Sequence, residues 1–150
     1  IDVYLVLVGP YEEDGQLIVD SISDTKVSER VRSVGFSSQP ENYMAVADIL
    51  CLPSYREGFG TVVIEAAAMG VPTIGTNIYG LTDAIVHGET GLLVPVGDEV
   101  ALALAIKSLL ANRSYLEKMS IAARSRAVEF FGSEGYSEML IKEYEAFFKK

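Results

Sequence analysis

Ile49-Leu50-Cys51-Leu52-Pro53, then Ser54-Tyr55-Arg56-Glu57-Gly58-Phe59-Gly60, then Thr61-Val62-Val63-Ile64-Glu65-Ala66-Ala67-Ala68-Met69-Gly70, then Val71-Pro72-Thr73-Ile74-Gly75 follow one another without a break. The first and last blocks are short apolar runs bounded by turn residues and read as buried strands. The third reads as a helix from Thr61 to Met69, closed by Gly70 as its C-cap with Pro72 just beyond. Strand, loop, helix and strand in that order belong to an open parallel sheet with right-handed crossovers.

The flanking sequence repeats the pattern. Towards the N-terminus, Val3 to Val8 is a continuous β-branched and leucine run that predicts a strand buried on both faces. After Gly9-Pro10 and the acidic Glu12-Glu13-Asp14-Gly15, a weak helix is expected around Leu17 to Ile22, a second strand over Val31 to Gly35, and a helical turn or two over Asn42 to Ala47. Beyond Gly75 the pattern predicts a short helix over Thr82 to Ile85, a turn at His87-Gly88 and a strand over Leu92 to Val94. Asp98 is a good N-cap for a helix whose apolar stripe is Leu102, Ile106, Leu109 and Leu110. Helices over Tyr115 to Val128 and Gly135 to Phe148 complete the chain, and the Tyr136, Leu140, Tyr144, Phe147 and Phe148 stripe of the last one has the spacing of a core face. The expected fold is α/β, a doubly wound parallel sheet with helices on both faces followed by C-terminal helices, in one domain over residues 1–150.

Composition narrows the function. The chain has 150 residues, 49% hydrophobic and 22% charged, a globular balance that excludes a disordered tail, a collagenous repeat or a coiled coil. No apolar run approaches the roughly 20 residues that cross a bilayer, and no basic signal-like region opens the chain. The net charge of −9 argues against a nucleic-acid partner or an anionic membrane surface on this piece. The part up to Gly60 carries 4 basic against 10 acidic residues and the remainder 8 against 11, so an anionic ligand must be held by local groups. Cys51 lies inside an apolar run, which predicts a buried, reduced thiol and a cytoplasmic location.

In a doubly wound sheet the ligand lies beyond the carboxyl ends of the strands, which directs attention to the loops after Val34, Pro53 and Gly75. The second of these carries the densest signal, Arg56 to Ala66. Gly58 and Gly60 between a strand end and a helix start form either a tight turn or a place where backbone approaches a ligand. The helix start itself presents unpaired N–H groups and a positive dipole end suited to a phosphate or diphosphate. Glu65, in an otherwise apolar stretch, is open to two readings, stabilisation by the helix dipole or a grip on vicinal hydroxyls. A glycosidase pair of Glu57 and Glu65 would need carboxyl groups about 5 to 10 Å apart. With the helix N-terminus lying between them, they read instead as ligand grips flanking a phosphate. Arg56 is either a phosphate contact or a solvated partner of Glu57, and His87 reads as an exposed turn residue.

These residues resemble the Glu-x7-Glu signature of the retaining glycosyltransferases of family 4. The likeness runs through Leu7-Val8-Gly9-Pro10, Val34-Gly35-Phe36, Ala47-Asp48-Ile49, Leu52-Pro53-Ser54, Gly70-Val71-Pro72-Thr73-Ile74, Gly80-Leu81-Thr82-Asp83-Ala84-Ile85-Val86 and Gly88-Glu89-Thr90-Gly91-Leu92-Leu93-Val94. The resemblance implies the Rossmann-like, donor-binding C-terminal half of a GT-B enzyme that binds a nucleoside diphosphate sugar. It implies sugar contact by Glu57, ribose contact by Glu65, a sugar and diphosphate lining from Gly58, Phe59, Gly60 and Thr61, and a nucleobase frame at Phe36. It further implies transfer with retention, by front-face departure and attack, with no metal, no cofactor and no firm protein nucleophile. The run Val8 to Asp14 resembles members that build bacterial capsule and exopolysaccharide.

The family's arginine and lysine clamp on the diphosphate would lie upstream of Ile1. The acceptor-binding N-terminal domain is likewise expected to be a missing part of the same polypeptide, and with it any membrane contact, peripheral at the inner membrane. The chain is accordingly expected to be a fragment, inactive alone. Part of the aromatic stripe on the last helix would then be an interdomain surface. A nucleotide-sugar 2-epimerase-like domain and a non-catalytic nucleotide- or partner-binding module are the competing readings.

Overall fold

The computed structural model describes residues 3–10, 15, 20–22 and 25–148, apart from the side chains of 134–136, 138, 139 and 143. The chain divides into two compact units, Ile1–Val46 and Ala47–Lys150.

The first unit contains β1 (Leu5–Val8) and β2 (Val31–Gly35), which pair in parallel with Leu5 opposite Val31 and Val8 opposite Gly35. A one-residue irregularity falls between Leu7 and Val8. A single turn of 3-10 helix (Ser28–Arg30) precedes β2, and a short helix, α1 (Glu41–Met44), follows it. The expected helix over Leu17 to Ile22 lies largely outside the described residues; residues 20–22 are helical. The expectation of a strand buried on both faces is not met at β1, where Leu5, Val6 and Val8 are exposed. Burial of a parallel strand needs a hydrogen-bonded neighbour on each side and a covering layer on each face. Among the described residues β1 has one neighbouring strand.

The second unit holds a parallel sheet in the order β3 (Leu50–Leu52), β4 (Thr73–Thr76), β5 (Gly91–Val94). Leu50 to Leu52 stand opposite Thr73 to Gly75, and Thr73 to Thr76 opposite Gly91 to Val94. Between the strands run α2 (Thr61–Ala68) and α3 (Leu81–Ala84); α4 (Glu99–Ala111), α5 (Arg113–Phe131) and α6 (Ser133–Phe148) follow.

Because successive strand residues face opposite sides, this sheet builds two cores. On one face Ile74 and Val94 pack with Leu109 of α4 and Leu116 and Met119 of α5, joined by Leu102 and Ile106 of the expected stripe. On the other, Val63 of α2 packs with Leu81 and Ala84 of α3 and with Ile85, backed by Leu52 and Leu93. Helices therefore cover both faces, as the doubly wound reading requires. Further along α5, Ala123 and Ala127 lie against Ala67 of α2, where small side chains let the helices approach.

The caps explain where helices stop and start. The Gly70 N–H reaches the Ala67 carbonyl at 2.8 Å and the Val71 N–H reaches Ala66 at 2.9 Å, with Gly70 at φ +77. This is the Schellman arrangement, in which glycine adopts the left-handed conformation without a Cβ clash. Asp98 accepts from the Ala101 N–H at 2.8 Å, as predicted, and Asn112 does the same for α5 through Tyr115 at 3.1 Å.

The core-face reading of the last helix is not met at the described members of its stripe, and the Tyr136 side chain lies outside the described residues. Leu140, Tyr144, Phe147 and Phe148 are exposed, the last two at 75% and 80%, and Phe147 meets Phe148 edge-on at 5.6 Å between ring centres. The spacing was right for an amphipathic helix, but spacing specifies a face and not what covers it.

Candidate functional site

The loop between β3 and α2 is held from the sheet upward. Thr76, at the C-terminal end of β4, is fully buried and its hydroxyl donates to the Ser54 carbonyl. The Ser54 hydroxyl in turn donates to Glu57 Oε1 at 2.9 Å. A half-buried carboxylate is thus aimed by a strand-end threonine through one intermediary, and its second oxygen has no partner among the described residues.

Gly60 is the N-cap of α2 at φ +68 and ψ +53, and no side chain caps the helix. The Val63 N–H bonds the Gly60 carbonyl at 2.8 Å. The N–H groups of the first turn point out of the helix end, where they and the positive dipole end favour an anion. Glycine is required here twice over: φ is in the left-handed region, and a Cβ would stand 2.6 Å from Leu81 Cδ2. Gly58 meets nothing within 4 Å of where its Cβ would be, so its neighbourhood is open space. Phe59 projects at the surface and meets the Phe131 ring at 5.5 Å.

Glu65 is exposed and is the fifth residue of α2, not part of its first turn. The dipole falls off within that turn, so the dipole-stabilisation reading loses its basis. Thr61, Glu65 and Ala68 are the exposed positions of a helix that buries Val63, Ala66 and Ala67, so Glu65 shares its stripe with the residue that opens the helix. Among the described residues its carboxylate has no ion pair or side-chain hydrogen bond. Arg56 is likewise exposed and forms no ion pair with Glu57, which removes that reading.

Glu57, Gly58, Phe59, Gly60, Thr61 and Glu65 therefore belong to one loop and helix start. Phe36 follows β2 in the first unit and is 77% exposed. Ser54, Thr76, Gly80, Leu81 and Phe131 were not among the expected site residues. Thr76 could have been found from the strand-end rule, whereas nothing in the sequence points to Phe131. His87 is exposed, and its Nδ1 accepts from the Leu93 N–H at 2.9 Å, a structural bond across the β5 turn.

Burial pushes the Cys51 thiol up from its ordinary 9.0 to about 11, so it is protonated at neutral pH and a poor nucleophile. Among the described residues no cluster of three His, Cys, Asp or Glu can hold a metal ion, and no helix is long and apolar enough to cross a membrane.

Comparison with known proteins adds to this geometry. The profile of the family "Glycosyl transferases group 1" matches residues 1–126. The chain is 32% identical to the capsular polysaccharide biosynthesis glycosyltransferase CapM of Staphylococcus aureus, over 99% of this chain and 39% of that protein. Among solved structures, sucrose-phosphate synthase from Thermosynechococcus elongatus superposes with a TM-score of 0.85 at 31% identity, covering 97% of this chain and 38% of the other. HepE of Anabaena in complex with UDP-glucose superposes with a TM-score of 0.86 at 23% identity, covering 96% and 41%, which is a likeness of fold. The chain spans about two fifths of the length of these proteins.

Proposed function

Because the chain belongs to the glycosyl transferases group 1 family, we propose that it forms the nucleotide-sugar-binding part of a retaining glycosyltransferase. The donor is a nucleoside diphosphate sugar, and the transfer serves surface polysaccharide biosynthesis. The observation that carries this reading is the uncapped start of α2 beside a carboxylate aimed by Ser54. An anion receptor and a hydroxyl acceptor lie on one short loop, which is the pair of functions that a sugar diphosphate needs. Support comes from the capsular polysaccharide role in the name of CapM and from the UDP-glucose bound to HepE.

In this reading Glu57 accepts hydroxyls of the transferred sugar through its unpartnered oxygen. Backbone N–H groups at Gly58, Phe59, Gly60 and Thr61 line the sugar and diphosphate, and the end of α2 stabilises the charge that grows on the leaving diphosphate. Glu65, on the same stripe as Thr61, takes the ribose hydroxyls. By the family resemblance the reaction proceeds on one face of the sugar without a metal ion, and stabilising the leaving group is then the main catalytic task. The acceptor-binding domain and a basic clamp on the diphosphate come from the remainder of a polypeptide about two and a half times as long, in line with the two fifths that this chain covers. Any membrane contact falls to that companion domain, since the −9 charge of this piece disfavours anionic lipid.

Calorimetric titration of UDP and UDP-sugars into the full-length polypeptide tests the two carboxylates separately. Glu65→Ala is expected to weaken nucleotide binding by about 1–3 kcal/mol through lost ribose hydrogen bonds. Glu57→Gln is expected to lower turnover while leaving free UDP affinity nearly intact. Unchanged affinity in the first variant, or equal losses of affinity and turnover in the second, refutes the corresponding role.

A further inference from the structure

Thr73 Oγ1 and Arg126 Nε are buried, and neither has a hydrogen-bond partner among the described residues. Buried polar atoms left unpaired forfeit their hydration and are rare in native chains. Thr73 and Arg126 line the same cavity, about 10 Å³ in volume, whose walls include Val63, Ala67, Thr90 and Ala127. That is the room one water needs, and a buried water needs two or more polar partners. Arg126 Nε–H is a donor and the Thr73 hydroxyl both donor and acceptor. Thr90 Oγ1 already accepts from the Val86 N–H at 2.9 Å and keeps its own proton to give.

The remaining contacts of Arg126 lead to the candidate site. Its Nη2 donates to the Asp83 carbonyl in α3 at 3.0 Å. Its guanidinium lies over the rings of Phe130 and Phe131, 5.3 and 5.5 Å from their centres, within the range of a cation–π attraction. Phe131 is the ring that meets Phe59. The start of α3 is the other support of the loop, because a Cβ at Gly80 would stand 2.7 Å from the carbonyls of Glu57 and Gly58, and Leu81 packs beneath Gly60. Both supports of the loop, α3 and Phe131, are therefore gripped by one guanidinium.

We propose that Arg126 is a positioning residue for the Glu57–Gly60 loop, with its guanidinium locked in place by a single buried water shared with Thr73 Oγ1. The loop's part in donor binding rests on the function proposed above; its rigidity does not. Lysine cannot replace Arg126, since it lacks both the planar fork and the Nε–H.

Backbone 15N relaxation on the full 150-residue chain, without nucleotide, reads the loop directly. In the wild type the amides of residues 57–60 are expected near an order parameter of about 0.85, like those of β4. In Arg126→Met and in Arg126→Lys they are expected to fall below about 0.6 while β4 stays rigid. Thr73→Val is expected to give a smaller fall confined to the same residues. A crystal structure of the wild type is expected to show a water within about 2.7–3.2 Å of both atoms. A loop that stays rigid in Arg126→Met, a fall shared equally with β4, or a cavity without water density overturns the proposal. If Arg126→Met does not fold, Thr73→Val and the crystal structure decide it. These readouts need no donor, so they are independent of the Glu57→Gln and Glu65→Ala results.

Discussion

Strand β1 is Leu-Val-Leu-Val and lies mostly exposed, whereas β4 is Thr-Ile-Gly-Thr and is buried at every position. The more apolar strand is the wetter one. β4 is hydrogen-bonded to a strand on each side and has a helical layer on each face; β1 has one strand neighbour among the described residues. Hydropathy reports what a strand tolerates, while neighbours decide what it buries. The threonines of β4 are accommodated individually, Thr76 by its bond to Ser54 and Thr73 at the cavity shared with Arg126. Gly75 leaves the space that Ile85 and Leu81 occupy. A central strand can thus give up apolar residues to aim a loop at one end, as β4 does at its carboxyl end.

The contrast can be broken by mutation, and the largest effect is expected at Ile74, which is fully buried in the core beneath α4 and α5. Ile74→Ala is expected to cost about 2–5 kcal/mol in urea unfolding, because the rigid sheet cannot collapse into the space left. A loss under about 1 kcal/mol would mean that β4 is not the centre of its unit.

A second effect is expected beside it at Cys51, which pairs with Ile74 across the sheet. Its folded pKa of about 11 lies above the ordinary 9.0. The unfolded chain therefore ionises first as pH rises, so the contribution is fully present below about pH 9 and is lost progressively between about 9 and 11. The loss should amount to about 1–3 kcal/mol. Stability measured across that range in wild type and Cys51→Ala isolates this contribution, since lysines and tyrosines titrate in both. Parallel curves would show that β3 is wetter than the comparison holds.

The smallest effect is expected on β1. Val6→Ala should change stability by only about 0.5 kcal/mol, as for other exposed positions. A cost approaching that of Ile74→Ala would show that the side chain is covered in solution, and would erase the difference between the strands.

Legibility divided along the same line. The β3–α2–β4 succession, the Schellman end at Gly70 and the Asp98 cap were readable because each depends on residues within a few positions of one another. Glu57 and Glu65 stood out as carboxylates flanking a helix start, and the family resemblance attached roles to them. What aims and supports them was not readable. Ser54 and Thr76 are 22 residues apart, and Phe59 meets a ring at Phe131 that no local pattern connects to it. The apolar stripe of α6 was legible as a face, whereas its spacing suggested core and only the family resemblance offered part of it as an interdomain surface.

The sequence by itself determined the order of elements, the alternation that makes a parallel sheet, and the loop where glycines and a helix start come together, since these follow from short-range sterics and periodicity. Only the tertiary structure decided which strand is central, that Thr76 aims Glu57 through Ser54, and that one arginine grips both supports of the loop. Those outcomes depend on contacts between residues far apart in the chain, and such contacts exist only once the layers have packed.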